Sequence, residues 1–144
     1  MARYLIVAHQ TAASAELLRH VGEVAGADPD AQFVLLVPAT PTSHLLTWEE
    51  GAARDLAARR AREAATRLGE RGHTVAGWKV GSHSPLEAVG DELRANPDYD
   101  RIILSTFPPG LSRWLKGDLP NQLRRRYRLP VDHVTAQPRQ LSAT

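Results

Sequence analysis

Apolar residues in this chain fall into two patterns, and the patterns alternate. Tyr4 to Ala8 and Phe33 to Val37 are continuous apolar runs, and Ile102, Ile103 and Leu104 form a third within Arg101 to Leu104. Such runs suit strands buried on both faces, as in a parallel sheet. Thr74 to Val80 reads as another strand, with Val75, Trp78 and Val80 as its larger apolar members. Val131 to Val134 alternates Val-Asp-His-Val, which suits a last strand at a sheet edge.

Between the runs, apolar residues recur every three or four positions, the spacing of one helix face. Leu17, Val21, Val24 and Ala25 form one stripe, with Glu16, Arg19 and Glu23 off it. Ala53, Ala57, Ala61, Ala64 and Leu68 form a second, made of small residues that permit close approach to a sheet. Leu86, Val89 and Leu93 form a third, and Leu119, Leu123 and Tyr127 a fourth.

The boundaries carry their own signals. His9, Gln10 and Thr11 end the first run at a helix N-cap, and Gly26 before Ala-Asp-Pro-Asp predicts a glycine C-cap. Thr47 with Glu50, and Ser84 with Glu87, have capping-box spacing, and Pro85 suits the first position of a helix. Gly72, Asn96-Pro97 and Pro130 close helices. Pro38 to Leu46 is a connection longer than most in such folds.

The order is strand, helix, strand, helix through five strands. It predicts an α/β fold: an open, doubly wound five-stranded parallel sheet of order 3-2-1-4-5 with helices on both faces. In such sheets ligands sit beyond the carboxyl ends of the strands where the order reverses, here between strands one and four. His9 to Thr11 and Ser105 to Gly110 flank that point. The second segment includes Phe107, Pro108 and Pro109, and a helical stretch from Leu111 is expected to turn its first N–H groups toward a bound anion.

A length of 144 residues suits one domain, taken as 1–134, with an aperiodic and flexible tail over 135–144. The chain has no cysteine, which removes disulfides, thiolate metal sites and thiol nucleophiles. No apolar run approaches the ~20 residues of a membrane span, and no signal-peptide core is present, so a cytoplasmic location is expected. Formal charge is −4 over residues 1–100 and +6 over 101–144. Arg113, Lys116, Arg124, Arg125, Arg126 and Arg128 carry most of the second value; a solvated helix face is the common meaning of such a cluster, and nucleic acid a less favoured one.

His9, His44 and His83 follow strands one, two and three. Three imidazoles at one sheet edge would suffice for zinc, yet no carboxylate or thiol accompanies them at ligand spacing. Gly-x-Ser-x-Gly, Gly-x-Gly-x-x-Gly and the Gly-Lys-Ser/Thr phosphate loop are absent, and Ser105 or Ser112 beside His9 is the only serine pairing to weigh for catalysis. Trp48, Trp78 and Trp114 are scattered, and Trp114, just past the loop, is the best candidate for a pocket wall.

Gly110-Leu-Ser-Arg-Trp-Leu-Lys-Gly117, Asp100-Arg-Ile-Ile-Leu before the loop, the Gly81 turn before a capped helix and the final strand after Pro130 together resemble the universal stress protein family, over Arg3 to Val134. The resemblance implies candidate ligand contacts at Ala8, His9, Gln10, Thr11, Val37 and Gly81. From the second half of the chain it adds Ser105, Thr106, Pro108, Gly110, Leu111, Ser112, Arg113 and Gly117. Nucleotide-binding members carry glycine, two residues, glycine, nine residues, glycine, then serine or threonine. Here the matching positions are Ser105, Pro108, Gly117 and Asp118, with eight residues between the second and third. Pro108 and Pro109 lack N–H donors, Asp118 brings negative charge, and His9 stands where ATP-binding members have aspartate.

What the resemblance implies is a small, non-catalytic regulatory or stress-associated protein with weakened or lost ATP binding. The edge strand adds the expectation of a homodimer paired through Val131, Asp132, His133 and Val134, whose edge would otherwise stay open. Two alternatives stand beside it. One is a binder of an adenine nucleotide or other small anion at the carboxyl edge of the sheet. The other binds nucleic acid through the 124–128 arginines.

Overall fold

The computed structural model describes residues 2–40 and 50–138. Five parallel strands, β1 (Arg3–Val7), β2 (Gln32–Pro38), β3 (Thr74–Gly81), β4 (Arg101–Thr106) and β5 (Val131–Thr135), form one sheet in the order β3-β2-β1-β4-β5. Helices α1 (Ala15–Ala27), α2 (Glu50–Glu70), α3 (Pro85–Ala95), α4 (Arg113–Lys116) and α5 (Leu119–Tyr127) connect them. This is the predicted doubly wound architecture.

Successive side chains of the inner strands divide between two cores, as the period of two requires. Leu5, Val7, Val34, Leu36, Ile102 and Leu104 pack with α3 and α5 residues Ala88, Val89, Leu119 and Leu123. Ile6, Ala8, Phe33, Leu35 and Ile103 face the other way, against Leu17, Leu18 and Val21 of α1 and Ala64 and Leu68 of α2. The small-residue stripe of α2 behaves as expected: Ala53, Ala57, Ala61, Ala64 and Leu68 are all buried.

Caps decide where the elements begin and end. Ser14, not Thr11, caps α1, accepting a hydrogen bond from the Leu17 N–H at 3.1 Å. That helix runs through Gly26 and ends at Asp28, whose φ of −139 lies outside the left-handed region, so no glycine cap forms there. Gly72 does cap α2: at φ +85 it lets the Gly72 N–H reach the Gly69 carbonyl and the His73 N–H reach that of Leu68, a Schellman closure. Ser84 caps α3 through the Glu87 N–H at 3.4 Å, but its own N–H donates to Ser82 Oγ, so the second arm of the expected capping box is replaced. The capping box expected at Thr47 lies outside the described residues.

Two differences bear on the site. β4 extends through Ser105 and Thr106, which the sequence pattern places in the loop. At the other end β5 reaches Thr135, the Ala136 N–H donates to the Thr106 carbonyl at 2.8 Å, and the Gln137 N–H donates to Glu16 Oε2 at 3.1 Å. Backbone pairing alongside the lengthened β4 thus carries order past the predicted start of the tail. Among the described residues no helix is long and apolar enough to cross a membrane.

Candidate functional site

The register places Val7 opposite Leu104, and beyond that pair β1 and β4 lead into separate loops. A gap between them is the geometric consequence of reversing the strand order. Thr11 and Ser105 bridge it: their hydroxyls lie 2.7 Å apart, and both residues are buried. Thr11 gets there through a compact turn in which the Ala12 N–H donates to the His9 carbonyl and the Ser14 N–H to that of Thr11.

Over this bridge lies a cleft of about 130 Å³. It is lined by His9, Gln10 and Thr11 after β1, Thr40 after β2, Ser105, Thr106 and Phe107 at the end of β4, and Leu111, Ser112, Arg113 and Trp114 beyond it. The walls are rich in hydroxyls. Thr106 Oγ1 lies 2.8 Å from His133 Nε2 and donates its proton either to that nitrogen or to the Phe107 carbonyl, also at 2.8 Å. Partial burial, then the Arg124 guanidinium, hold His133 below its ordinary imidazole pKa.

The loop after β4 differs from the anion cradle expected of it. The Pro108 carbonyl accepts from both the Leu111 and Ser112 N–H groups, at 3.1 and 3.2 Å, while Gly110 at φ +92 makes the turn possible. The donors meant for a ligand are thus used within the loop. Helical structure begins at Arg113 rather than Leu111 and lasts only four residues, with no side-chain cap from Ser112.

His9 is the buried titratable group of the site. It is 6% exposed, its Nε2 has no hydrogen-bond partner, and burial with the nearby charge of Arg60 lowers its pKa to about 4. The ring is therefore neutral at pH 7. It lines both the cleft and a second cavity of about 310 Å³ on the α1–α2 side, which Ser14, Arg60, Glu63 and Arg67 also line.

Of the sequence candidates, His9, Gln10, Thr11, Ser105, Thr106, Leu111, Ser112 and Arg113 meet in the cleft. The others do not line it. Ala8 is a core residue, and Val37 packs against Ala57 and Ala61. Gly81 lies against Ala88, where a Cβ would stand 2.6 Å from the alanine Cβ. Pro108, Gly110 and Gly117 shape the loop and the junction between α4 and α5. Ser105 is held by Thr11, not by His9, so the serine–histidine pairing is not formed. His83 lines a different depression, with Arg54 and Lys79, and His44 lies outside the described residues. Among the described residues no three histidine or carboxylate side chains gather as a metal site. Sequence reasoning missed Thr40 and the Thr106–His133 contact; the latter depends on strand register, which no local pattern displays.

No family model matches the chain, and no curated protein matches it in sequence. Solved structures do match in shape. A universal stress protein in complex with cAMP is 19% identical, with 94% of this chain and 97% of that one covered and a TM-score of 0.62. A universal stress protein from Archaeoglobus fulgidus in complex with dAMP is 14% identical, covers 94% and 98%, and has a TM-score of 0.62. A family protein from Arabidopsis thaliana with AMP bound is 12% identical, covers 100% and 95%, and has a TM-score of 0.57. The chain has the universal stress protein fold.

Proposed function

We propose that this is a universal-stress-like, non-catalytic regulatory protein that binds an adenine nucleotide at the switch-point cleft and holds ATP weakly. The carrying observation is the loop after β4. Its Leu111 and Ser112 N–H groups serve the Pro108 carbonyl, so the donors that would wrap a triphosphate are engaged, while the hydroxyl-lined cleft between β1 and β4 remains open. The hydroxyls and Trp114 suit a sugar and a base. The nucleotides seen with proteins of this shape, cAMP, dAMP and AMP, each carry a single phosphate.

A thermal-shift series tests the reading. AMP and cAMP at millimolar concentration are expected to raise the melting temperature with dose, by mass action on the folded state, and ATP with magnesium to raise it less. No rise with any adenine nucleotide would remove the proposal.

The homodimer belongs to the same reading. Among the described residues β5 pairs only with β4, so no strand covers its outer edge, where the Val131 carbonyl accepts from the Arg124 guanidinium at 2.9 Å; antiparallel pairing of Val131 to Val134 with a second copy would displace that contact and cover the edge. Sedimentation at micromolar concentration is expected to show a dimer; a monomer would rule this surface out. For Arg125, Arg126 and Arg128 the solvated reading is favoured, since all three are exposed at the end of α5.

A further inference from the structure

We infer that a phosphate-type oxyanion binds on the α1–α2 side of His9, against Arg60, rather than in the loop after β4. The inference deepens the nucleotide reading and rests on it for what the rest of the ligand is. The subsite itself rests on four observations.

The second cavity is the roomier of the two, about 310 Å³ against about 130 Å³, and adjoins the cleft through His9, Gln10 and Thr11. Sites for small molecules run to ~300 Å³ and above, so a nucleotide confined to the cleft alone would be cramped. His9, 6% exposed and with an unpartnered Nε2, is a lining residue of both spaces. Arg60 Nε is also buried without a hydrogen-bond partner, and Arg60 forms no ion pair among the described residues. Finally, the cavity is walled by Ser14, the cap of the thirteen-residue α1, so the positive end of that helix dipole faces it.

Two carboxylates stand nearby, and both have partners. Glu63 pairs with Arg67 at 3.3 Å, and Glu16 accepts from the Gln137 N–H. Arg60 is left as the cation available to a ligand. With its proton on Nε2, neutral His9 donates to the same oxyanion, which would complete two buried groups that the protein leaves unpaired. Arginine is suited to this role because its planar fork meets phosphate oxygens in pairs.

The oxyanion has two candidate sources, the phosphate of a nucleotide seated across both spaces or free phosphate. Titration calorimetry with AMP, adenosine and inorganic pyrophosphate separates them, using the wild type, Arg60→Ala, Arg60→Gln and, as a control for lost charge, Arg125→Ala. Circular dichroism melts confirm that each variant folds. Both Arg60 variants are expected to weaken AMP and pyrophosphate about tenfold or more while leaving adenosine unchanged, and Arg125→Ala to leave all three unchanged. Loss of pyrophosphate alone would still place an oxyanion at Arg60 and identify it as free phosphate. Pyrophosphate binding that depends on Arg60, with neither AMP nor adenosine bound, would keep the subsite and overturn the nucleotide reading. AMP and pyrophosphate binding alike indifferent to Arg60 would overturn the subsite and keep the nucleotide reading. Absence of binding by AMP and pyrophosphate alike would overturn both.

Discussion

Acidification from pH 7 to pH 4 is expected to remove about 3 kcal/mol of folding free energy through His9 alone, at about 1.4 kcal/mol for each pH unit that separates its folded and unfolded pKa values. Burial, then the charge of Arg60, lowers the folded-state pKa of His9 from 6.5 to about 4. Between those values the unfolded chain binds a proton that the folded chain refuses, so stability rises with pH through this window. The contribution is complete above about pH 6.5 and is lost as pH falls toward 4. His133, also lowered, acts with the same sign. Glu92, whose folded pKa lies below 4.5, adds a loss only at more acid pH. Urea unfolding at pH 7, 5.5 and 4 measures the slope, and His9→Gln should remove most of it. An unchanged slope in that variant would mean that His9 is solvated and protonates freely.

Replacing Glu92 by leucine is expected to cost about 2 to 4 kcal/mol, the second large effect. Glu92 is 5% exposed on α3, and its carboxylate organises three neighbours. Oε1 accepts from Lys79 Nζ at 2.7 Å, and Oε2 accepts from the Tyr99 hydroxyl at 2.6 Å and from Asn96 Nδ2 at 3.2 Å. Burial alone would raise the carboxyl pKa; Lys79 first, then Tyr99 and Asn96, reverse the direction and hold it low. Leucine leaves the Tyr99 hydroxyl buried without an acceptor, a penalty of about 1 to 3 kcal/mol. It also unties α3 from β3. Lys79 is 44% exposed and returns to water at small cost. The orphaned hydroxyl therefore accounts for most of the loss, and Glu92→Leu combined with Tyr99→Phe should recover much of it in a double-mutant cycle. A double variant no more stable than the single one would place the cost elsewhere.

The architecture is legible in the sequence because inner parallel strands and amphipathic helices have distinct periods, and Tyr4 to Ala8 and Phe33 to Val37 display theirs without interruption. Half the site is legible for the same reason: the topology alone brings His9, Thr11 and Ser105 to one edge. Other parts depend on contacts between distant residues. Ser105 and Thr106 read as a turn because polar residues precede two prolines, yet β5 pairs with both and extends β4, and Thr11 holds the Ser105 hydroxyl. Gly26 has the look of a cap, but the helix needs none of its freedom, since the Asp28 N–H reaches the Val24 carbonyl with no residue in the left-handed region. Glu92 falls on the buried side of α3, where its charge marks it as surface until Lys79 and Tyr99 are seen around it. The inward use of the Leu111 and Ser112 N–H groups follows from Pro108, whose carbonyl a sequence motif does not orient.

An adenine nucleotide received in the space around His9, between β1 and β4, would leave its mark on the backbone amides there. The most direct measurement is an amide-resolved magnetic resonance titration of the labelled protein with AMP. Saturable shifts are expected at His9 to Thr11, Ser105 to Phe107 and Ser112 to Trp114, with a second set near Arg60. Shifts absent at millimolar AMP, or confined to the 124–128 arginines, would contradict nucleotide binding at this site.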